Sequence, residues 1–272
     1  MKDQQAKQPK YSIITTCYNL SHLIERAIES VESQTYTNYE FIIVDDCSTD
    51  DSVNIINKYT KKYNNIKLIV NEENKKAGGA RNAALAIAKG KYILFLDGDD
   101  RLADKDVLEK LDNLIGTEDI DVIYLGFKIE GDREELVIPT EKTCTKTYKA
   151  ATDKYPNPWS KCWRKAFLDE NNVRFPEHRF YEDVQFVYKG VMKSKSYKIA
   201  NFVIHKYTSG RTASMTTTMN LKNIQDTVAN LSDFMEMREN DYAEEIDIIL
   251  KKEIRMCKKR LDGLYQTLFG KD

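Results

Sequence analysis

What the chain lacks narrows it first. It has no run of about 18 apolar residues, the length a membrane-crossing helix needs. Its opening residues, MKDQQAKQPK, are polar, so no apolar signal region is expected there. Neither sign of charge dominates: 42 Lys+Arg stand against 43 Asp+Glu. That balance argues against a nucleic-acid protein driven by contacts to backbone charge. The five cysteines (Cys17, Cys47, Cys144, Cys162 and Cys257) are odd in number and include no CxxC pair. They read as ordinary thiols of a reducing cytoplasm, not as a disulfide or zinc framework. No internal repeat or low-complexity segment is visible.

What is present is enough for a core. The chain has 272 residues, 41% of them hydrophobic, which suits one large α/β domain or one core with a small appendage. Short apolar runs, YSIITT (11–16), FIIV (41–44), IKLIV (66–70), YILFL (92–96) and DVIYLGF (121–127), predict buried strands. Between them apolar residues recur at helical spacing. Leu20, Leu23, Ile24, Ala27, Ile28 and Val31 form one such set; Val53, Ile56, Tyr59 and Tyr63 form a second. Gly78 and Gly79 open an Ala-rich third helix, and Val107, Leu108, Leu111 and Leu114 mark a fourth. Ser48 and Asp104 are the expected caps of the second and fourth helices. The alternation predicts a mostly parallel sheet covered on both faces.

From about residue 128 the alternation stops, and 130–158 reads as irregular. Residues 159–170 and the stretch around Val184, Val187, Val191 and Met192 read as helices. From Asn220 onward the pattern is helical throughout. Leu221, Ile224, Val228, Leu231 and Met235 form one stripe; Ile246, Leu250, Ile254, Cys257, Leu261, Leu264 and Leu268 form another. The stripes suit helix–helix packing within or between chains. The basic cluster at 251–260 also suits an anionic lipid surface.

In open parallel sheets, ligands bind beyond the carboxyl ends of the strands. There this chain places Thr16, Tyr18 and Asn19, then Asp45 and Asp46, then Asp97, Asp99 and Asp100. Clustered acids repel unless solvated or bridged. A divalent cation would relieve that repulsion, and Mg²⁺ or Mn²⁺ takes such hard oxygen ligands, with substrate phosphates completing the shell.

The combined pattern TCYN…FIIVDDCSTDD…GGARNAAL…GKYILFLDGDD resembles the family 2 glycosyltransferases of bacteria. PWSKCWRKAFLDENNVRFPEHRFYED resembles their second half, and the likeness spans about residues 10–215. The resemblance implies a GT-A fold: a Rossmann-like, mostly parallel sheet flanked by helices, with a C-terminal helical extension. It divides the chain into a nucleotide-sugar-binding half (1–105), an acceptor-binding half of the same domain (106–215) and the extension (216–272). It implies inverting transfer from a nucleotide sugar, of which a UDP-sugar is expected, with Mn²⁺ or Mg²⁺. The expected acceptor is a saccharide, lipid-linked or protein-linked glycan in cell-surface synthesis, in the cytoplasm or against the inner face of the plasma membrane.

By position, Thr16, Tyr18, Asp46, Arg81 and Asp97 match donor-binding residues and Asp99 a metal ligand. Asp183, of the pair Glu182–Asp183, matches the catalytic base. His205 resembles a third metal ligand or phosphate contact, as do Lys206 and Arg211. Trp159, Lys161 and Glu182 are expected near the acceptor. Cys47 stands where the family commonly has Gly. Two other classes fit these residues less well. A DxD phosphohydrolase places its motif after the first strand as DxDx[TV], which DGDDR is not. A scaffold that oligomerises through the tail has no need of the intact acidic sets.

Overall fold

The computed structural model describes residues 8–140, 156–210, 220–240 and 243–269. The five expected strands form as β1 (Tyr11–Cys17), β2 (Tyr39–Asp45), β3 (Ile66–Val70), β4 (Tyr92–Asp97) and β6 (Val122–Glu130), with the two-residue β5 (Arg101–Leu102) between the last two. Helices α1 (Ile24–Glu32), α2 (Ser52–Lys62), α3 (Lys76–Ile87) and α4 (Val107–Ile115) alternate with them. Strands β3-β2-β1-β4 run parallel in that order.

Strict alternation in the strands divides the core. Ile13, Phe41, Ile43, Leu94 and Leu96 meet α1, α2 and α4 on one face. Ile14, Ile42, Val44, Ile93 and Phe95 meet α3 on the other. The register lines up the strand ends: Thr16 pairs with Val44 on one side and Asp97 on the other, and Cys17 pairs with Asp45. The polar residues that follow these strands therefore share one edge.

Beyond β4 the sheet is mixed, which corrects the expected helix over 159–170. Pro158–Ser160 is one 3₁₀ turn, Lys161–Arg164 is strand β8, and only Lys165–Glu170 is helical (α5). Strand β8 lies antiparallel between β4 and β6, sending Cys162 to one core layer and Trp163 to the other. Four residues are too few for a helical period to separate from alternation. The stretch after β6 holds a short strand, β7 (Glu135–Val137), paired with β6; residues 141–155 lie outside the described residues. After α6 (Glu182–Lys193) comes the twelve-residue β9 (Tyr197–Thr208), parallel to β6 and antiparallel to β5.

Both expected caps move. Helix α2 begins at Ser52, whose N–H donates to Asp50 Oδ1 at 3.0 Å, while Ser48 instead accepts the Asn19 N–H at 2.8 Å. Helix α4 begins at Val107, and the side-chain Oε1 of the buried Gln34 accepts the Leu108 N–H at 3.2 Å in place of an Asp104 cap.

The tail forms a hairpin of α7 (Leu221–Asn240) and α8 (Ala243–Phe269). Its expected apolar stripes are only partly buried: Ile224, Ile246 and Cys257 turn inward, whereas Leu221, Val228, Met235, Ile254 and Leu261 are exposed. The buried face of α7 carries Asn223, Ile224, Asp226, Thr227, Asn230 and Phe234. A small third core of Val184, Tyr188, Phe234, Ile246 and Ile249 joins α6 to the hairpin.

Candidate active site

A cavity of about 870 Å³ opens at the shared strand edge, lined from one side by Thr16, Tyr18, Asp46, Arg81, Asp97 and Asp99. Trp159, Phe180, Tyr181, Glu182, Asp183 and Tyr207 line it from the other. It is large enough for a nucleotide sugar.

Arg81 joins the two sides. From α3 its Nη2 donates to Asp97 Oδ1 at 2.8 Å, and its Nη1 donates to Glu182 Oε1 at 2.7 Å, 101 positions along the chain. The Phe175 ring lies 5.2 Å from the guanidinium. Gly78 allows this approach: a Cβ there would stand 2.3 Å from the Pro176 carbonyl oxygen and 2.9 Å from Glu182 Cγ. Burial works against the charge of Arg81, but Asp97 and Glu182 outweigh it and hold the guanidinium cationic.

The turn after β4 is similarly built. Gly98 is required because a Cβ would meet the Thr16 carbonyl oxygen at 2.7 Å. Carboxylate oxygens of Asp97, Asp99 and Asp100 lie within 4.8 Å of one another. Asp100 turns inward: its Oδ1 accepts the Thr208 N–H at 2.8 Å, and its Oδ2 meets His205 Nε2 at 2.9 Å. Burial pushes the Asp100 carboxyl up, and His205 pulls it back. Arg26, which sequence reasoning missed, donates from Nη2 to the Asp99 carbonyl and, at 2.8 Å, to Thr208 Oγ1, tying the turn to β9.

Asp46 is held in the cavity wall by the Asn71 amide at 2.8 Å and the Lys75 N–H at 2.9 Å, both on Oδ1. Its neighbour Asp45 is fully buried; Oδ1 accepts the Ser48 N–H at 2.9 Å, and Oδ2 has no hydrogen-bond partner among the described residues. Cys47 has φ 68°, the left-handed region that favours glycine, which accounts for the Gly common at that position.

Glu182 and Asp183 open α6, directly after Tyr181, whose φ is 61°. Burial and then repulsion from Glu182 lift the Asp183 carboxyl to about 7, against the pull of Arg81. One Asp183 oxygen accepts its neighbour's Val184 N–H at 2.9 Å.

Three expected site residues sit off the cavity wall. His205 is buried, bonded to Asp100, and its ring stacks on Trp159 at 4.4 Å. Lys161 is wholly buried, with Nζ 3.0 Å from Ser160 Oγ and 5.6 Å from the centre of the Tyr124 ring. Lys206, also expected near the diphosphate, pairs with Arg101 across β5–β9 and is not among the wall residues. Arg211 lies outside the described residues. Besides Arg26, sequence reasoning missed Lys76 and Arg133 on the cavity wall. Lys76 carries a positive φ, a trait no composition signals, and its Nζ lies 4.9 Å from the Phe180 ring centre.

The comparisons agree on kinship. The poly(ribitol-phosphate) beta-glucosyltransferase of Bacillus spizizenii is 34% identical over 201 residues, 70% of this chain and 31% of that protein. The Escherichia coli UDP-Glc:alpha-D-GlcNAc-diphosphoundecaprenol beta-1,3-glucosyltransferase WfaP is 46% identical over 121 residues, 44% of this chain and 47% of that one. This chain thus spans about a third to a half of the length of these relatives. Among solved structures, Staphylococcus aureus TarS 1–349 in complex with UDP-GlcNAc superposes with TM-score 0.74 at 25% identity, covering 90% of this chain and 71% of that one. The mannosyltransferase PcManGT of Pyrobaculum calidifontis, in complex with GDP-Man and Mn²⁺, shares the fold at TM-score 0.64 and 16% identity, covering 98% of this chain and 77% of that one. The mixed sheet with its flanking helices is the expected GT-A fold. With residues 12–189 matching Glycosyl transferase family 2, the chain belongs to that family.

Proposed function

We propose that the protein is an inverting glycosyltransferase that moves a sugar from a UDP-sugar to a glycan or lipid-linked acceptor in cell-surface polysaccharide synthesis. One observation carries the reading: Arg81 ties Asp97, at the end of β4, to Glu182, beside Asp183, so that two acidic sets share one cavity. Binding of UDP-GlcNAc by TarS supports the donor class, and the names of the two relatives support a cell-wall or lipid-linked acceptor. Residues 1–105 hold the donor, 106–215 shape the acceptor side, and 216–272 form the extension. No helix among the described residues is long and apolar enough to cross a membrane. The assigned place of action is the cytoplasm, at the inner face of the plasma membrane.

Thr16, Tyr18 and Asp46 receive the nucleoside; the Asp46 carboxylate accepts from a uracil imide N–H. Asp97 and Asp99 offer hard oxygen donors that fit Mg²⁺ or Mn²⁺, whereas Asp100 is committed to His205 and Thr208. Such an ion would neutralise charge on the diphosphate. Asp183 takes the proton of the acceptor hydroxyl as its oxygen bonds the anomeric carbon. The bond from that carbon to the diphosphate oxygen breaks, and UDP leaves with the electron pair from the opposite face. Trp159 and Glu182 border the acceptor space; Lys161 supports it from behind through Ser160, and His205 through Asp100 and Trp159.

The test is a panel of nucleotide sugars with Mn²⁺, followed by Asp183→Asn. Transfer is expected to fall roughly a thousandfold, within the range for loss of a general base, with UDP binding unchanged. Full turnover by the Asn variant refutes the assignment of the base, and no UDP release from any donor refutes the activity.

A further inference from the structure

The buried face of α7 is mainly polar, with only Ile224 and Phe234 as large apolar members, where an ordinary helix–helix seam is apolar throughout. Asn223, Asp226, Thr227 and Asn230 recur at steps of one helical turn and are each at least nine-tenths buried. Buried polar groups are costly unless bonded, so the destination of their bonds is informative. Asn223, Asp226 and Asn230 reach one short segment, Phe180–Tyr181, immediately before Glu182 and Asp183, while Thr227 donates to the Asn223 carbonyl of its own helix and accepts from Arg260.

Asp226 Oδ2 accepts the Phe180 N–H at 2.9 Å. The Asn230 amide donates to the Phe180 carbonyl at 3.2 Å and to the Tyr181 carbonyl at 3.3 Å. From α8, the buried Arg260 lays its guanidinium 3.5 Å from the centre of the Tyr181 ring and donates to Thr227 Oγ1 at 2.9 Å. Asp233 bridges Arg179 at 2.5 Å and Gln185 at 2.9 Å, one on each side of the acidic pair. The segment needs holding. Tyr181 is in the left-handed region with φ 61°, as is His178 with φ 57°, and a non-glycine residue stays there only when its surroundings over-determine it.

We propose that the α7–α8 hairpin is a positioning device for the reaction, and that Asp226 and Asn230 are positioning residues that pin the Phe180–Tyr181 backbone and so aim Asp183 into the cavity. The inference rests on Asp183 being the base. It assigns the extension a part in turnover beyond packing, and it explains why polar side chains occupy the side of α7 that a seam would make apolar.

The test uses the full chain. Asn230→Asp keeps the shape but presents an oxygen where an N–H now points at two carbonyls. Asp226→Ala removes the acceptor, whereas Asp226→Asn retains one. Asp247→Ala is the control; it breaks the exposed Arg238–Asp247 pair between the two helices and touches none of these bonds. Three readouts are taken: UDP release from UDP-glucose or UDP-GlcNAc with Mn²⁺, the Kd for UDP, and amide hydrogen exchange across residues 178–184. Asn230→Asp and Asp226→Ala are expected to lower kcat at least tenfold and speed exchange at least tenfold, with the UDP Kd within twofold. Asp226→Asn and Asp247→Ala are expected to stay within threefold in all three.

Wild-type kcat or wild-type exchange in Asn230→Asp and Asp226→Ala overturns the proposal. So does an equal loss in Asp226→Asn, or a loss of UDP binding that matches the loss of kcat, since either signals general destabilisation. Asp183→Asn, measured alongside, separates the two ideas. If it turns over normally, the base reading fails whatever the hairpin does; if it is dead while Asn230→Asp is fully active, the positioning inference alone fails.

Discussion

Strand β1 is buried on both faces and helix α7 on one, and what they bury differs in chemistry. In β1 it is Tyr11, Ile13 and Ile14, wholly enclosed between helices on both faces. In α7 it is mostly Asn223, Asp226, Thr227 and Asn230, with Ile224 and Phe234 as the apolar members. The parallel half stands on transfer of apolar surface from water, which is strong and indifferent to direction. The hairpin adds to its small apolar core a set of directed bonds to one loop, which add little net stability but fix geometry. One region makes the fold; the other aims part of it.

That contrast can be attacked at several points. The largest effect is expected where the two sides of the cavity meet. Arg81→Met would leave Asp97 and Glu182 facing each other without their shared cation. Breaking such a buried pair costs about 3–5 kcal/mol, read as a drop in chemical-denaturation midpoint, and transfer should be lost with it. Next, Phe234→Ala in the hairpin's apolar anchor should cost about 3–4 kcal/mol, whereas Val228→Glu on the exposed side should stay within about 0.5 kcal/mol. Equal effects at the two positions would restore the apolar stripe that the spacing alone suggests.

A pH series comes third. With Asp183 raised to about 7, kcat/KM should fall about tenfold for each unit below that value, because the protonated carboxyl cannot accept the acceptor's proton. Stability should run the other way. A raised carboxyl binds its proton more tightly in the folded chain than its ordinary 3.8 allows. The stability linked to that proton is full below the ordinary value and is lost as pH climbs toward 7. Asp183→Asn should flatten both curves, as kcat/KM profiles and denaturation midpoints against pH would record. The smallest effect concerns Cys47. Replacement by Gly should relieve the left-handed backbone and raise stability by about 0.5 kcal/mol, visible as a small rise in Tm.

The parallel half was legible because its signals are local. Alternation in YSIITT and YILFL, and helical spacing in the segments between, are set by burial on two faces, and the structure returns them nearly residue for residue. The acids at the strand ends could be placed on one edge by the same logic. The second half was less legible for physical reasons. Strand β8 is four residues long and sits inside a run that also reads as helix; β9 is half-exposed along much of its length and lacks clean alternation. The exposed Leu221, Val228 and Met235 sit one heptad apart and point to solvent, while part of the buried side of α7 serves the peptide groups of Phe180–Tyr181, a demand no spacing reveals. Nothing in VIHKYT separates a histidine that meets an ion from one that props Asp100. Arg26 looked like any charged residue on an amphipathic helix.

Strand β8 carries one more consequence. Residues 161–164 fill the slot beside β4, so a nascent chain that has emerged only through residue 105 shows the ribosome's surroundings a bare, apolar ribbon, Tyr92–Leu94, with no neighbour to accept its ladder. Completion of the parallel half thus waits on a segment synthesised some way downstream. A fragment cut at 105 is expected to aggregate rather than fold, and chaperone dependence during synthesis should end only once β8 has docked.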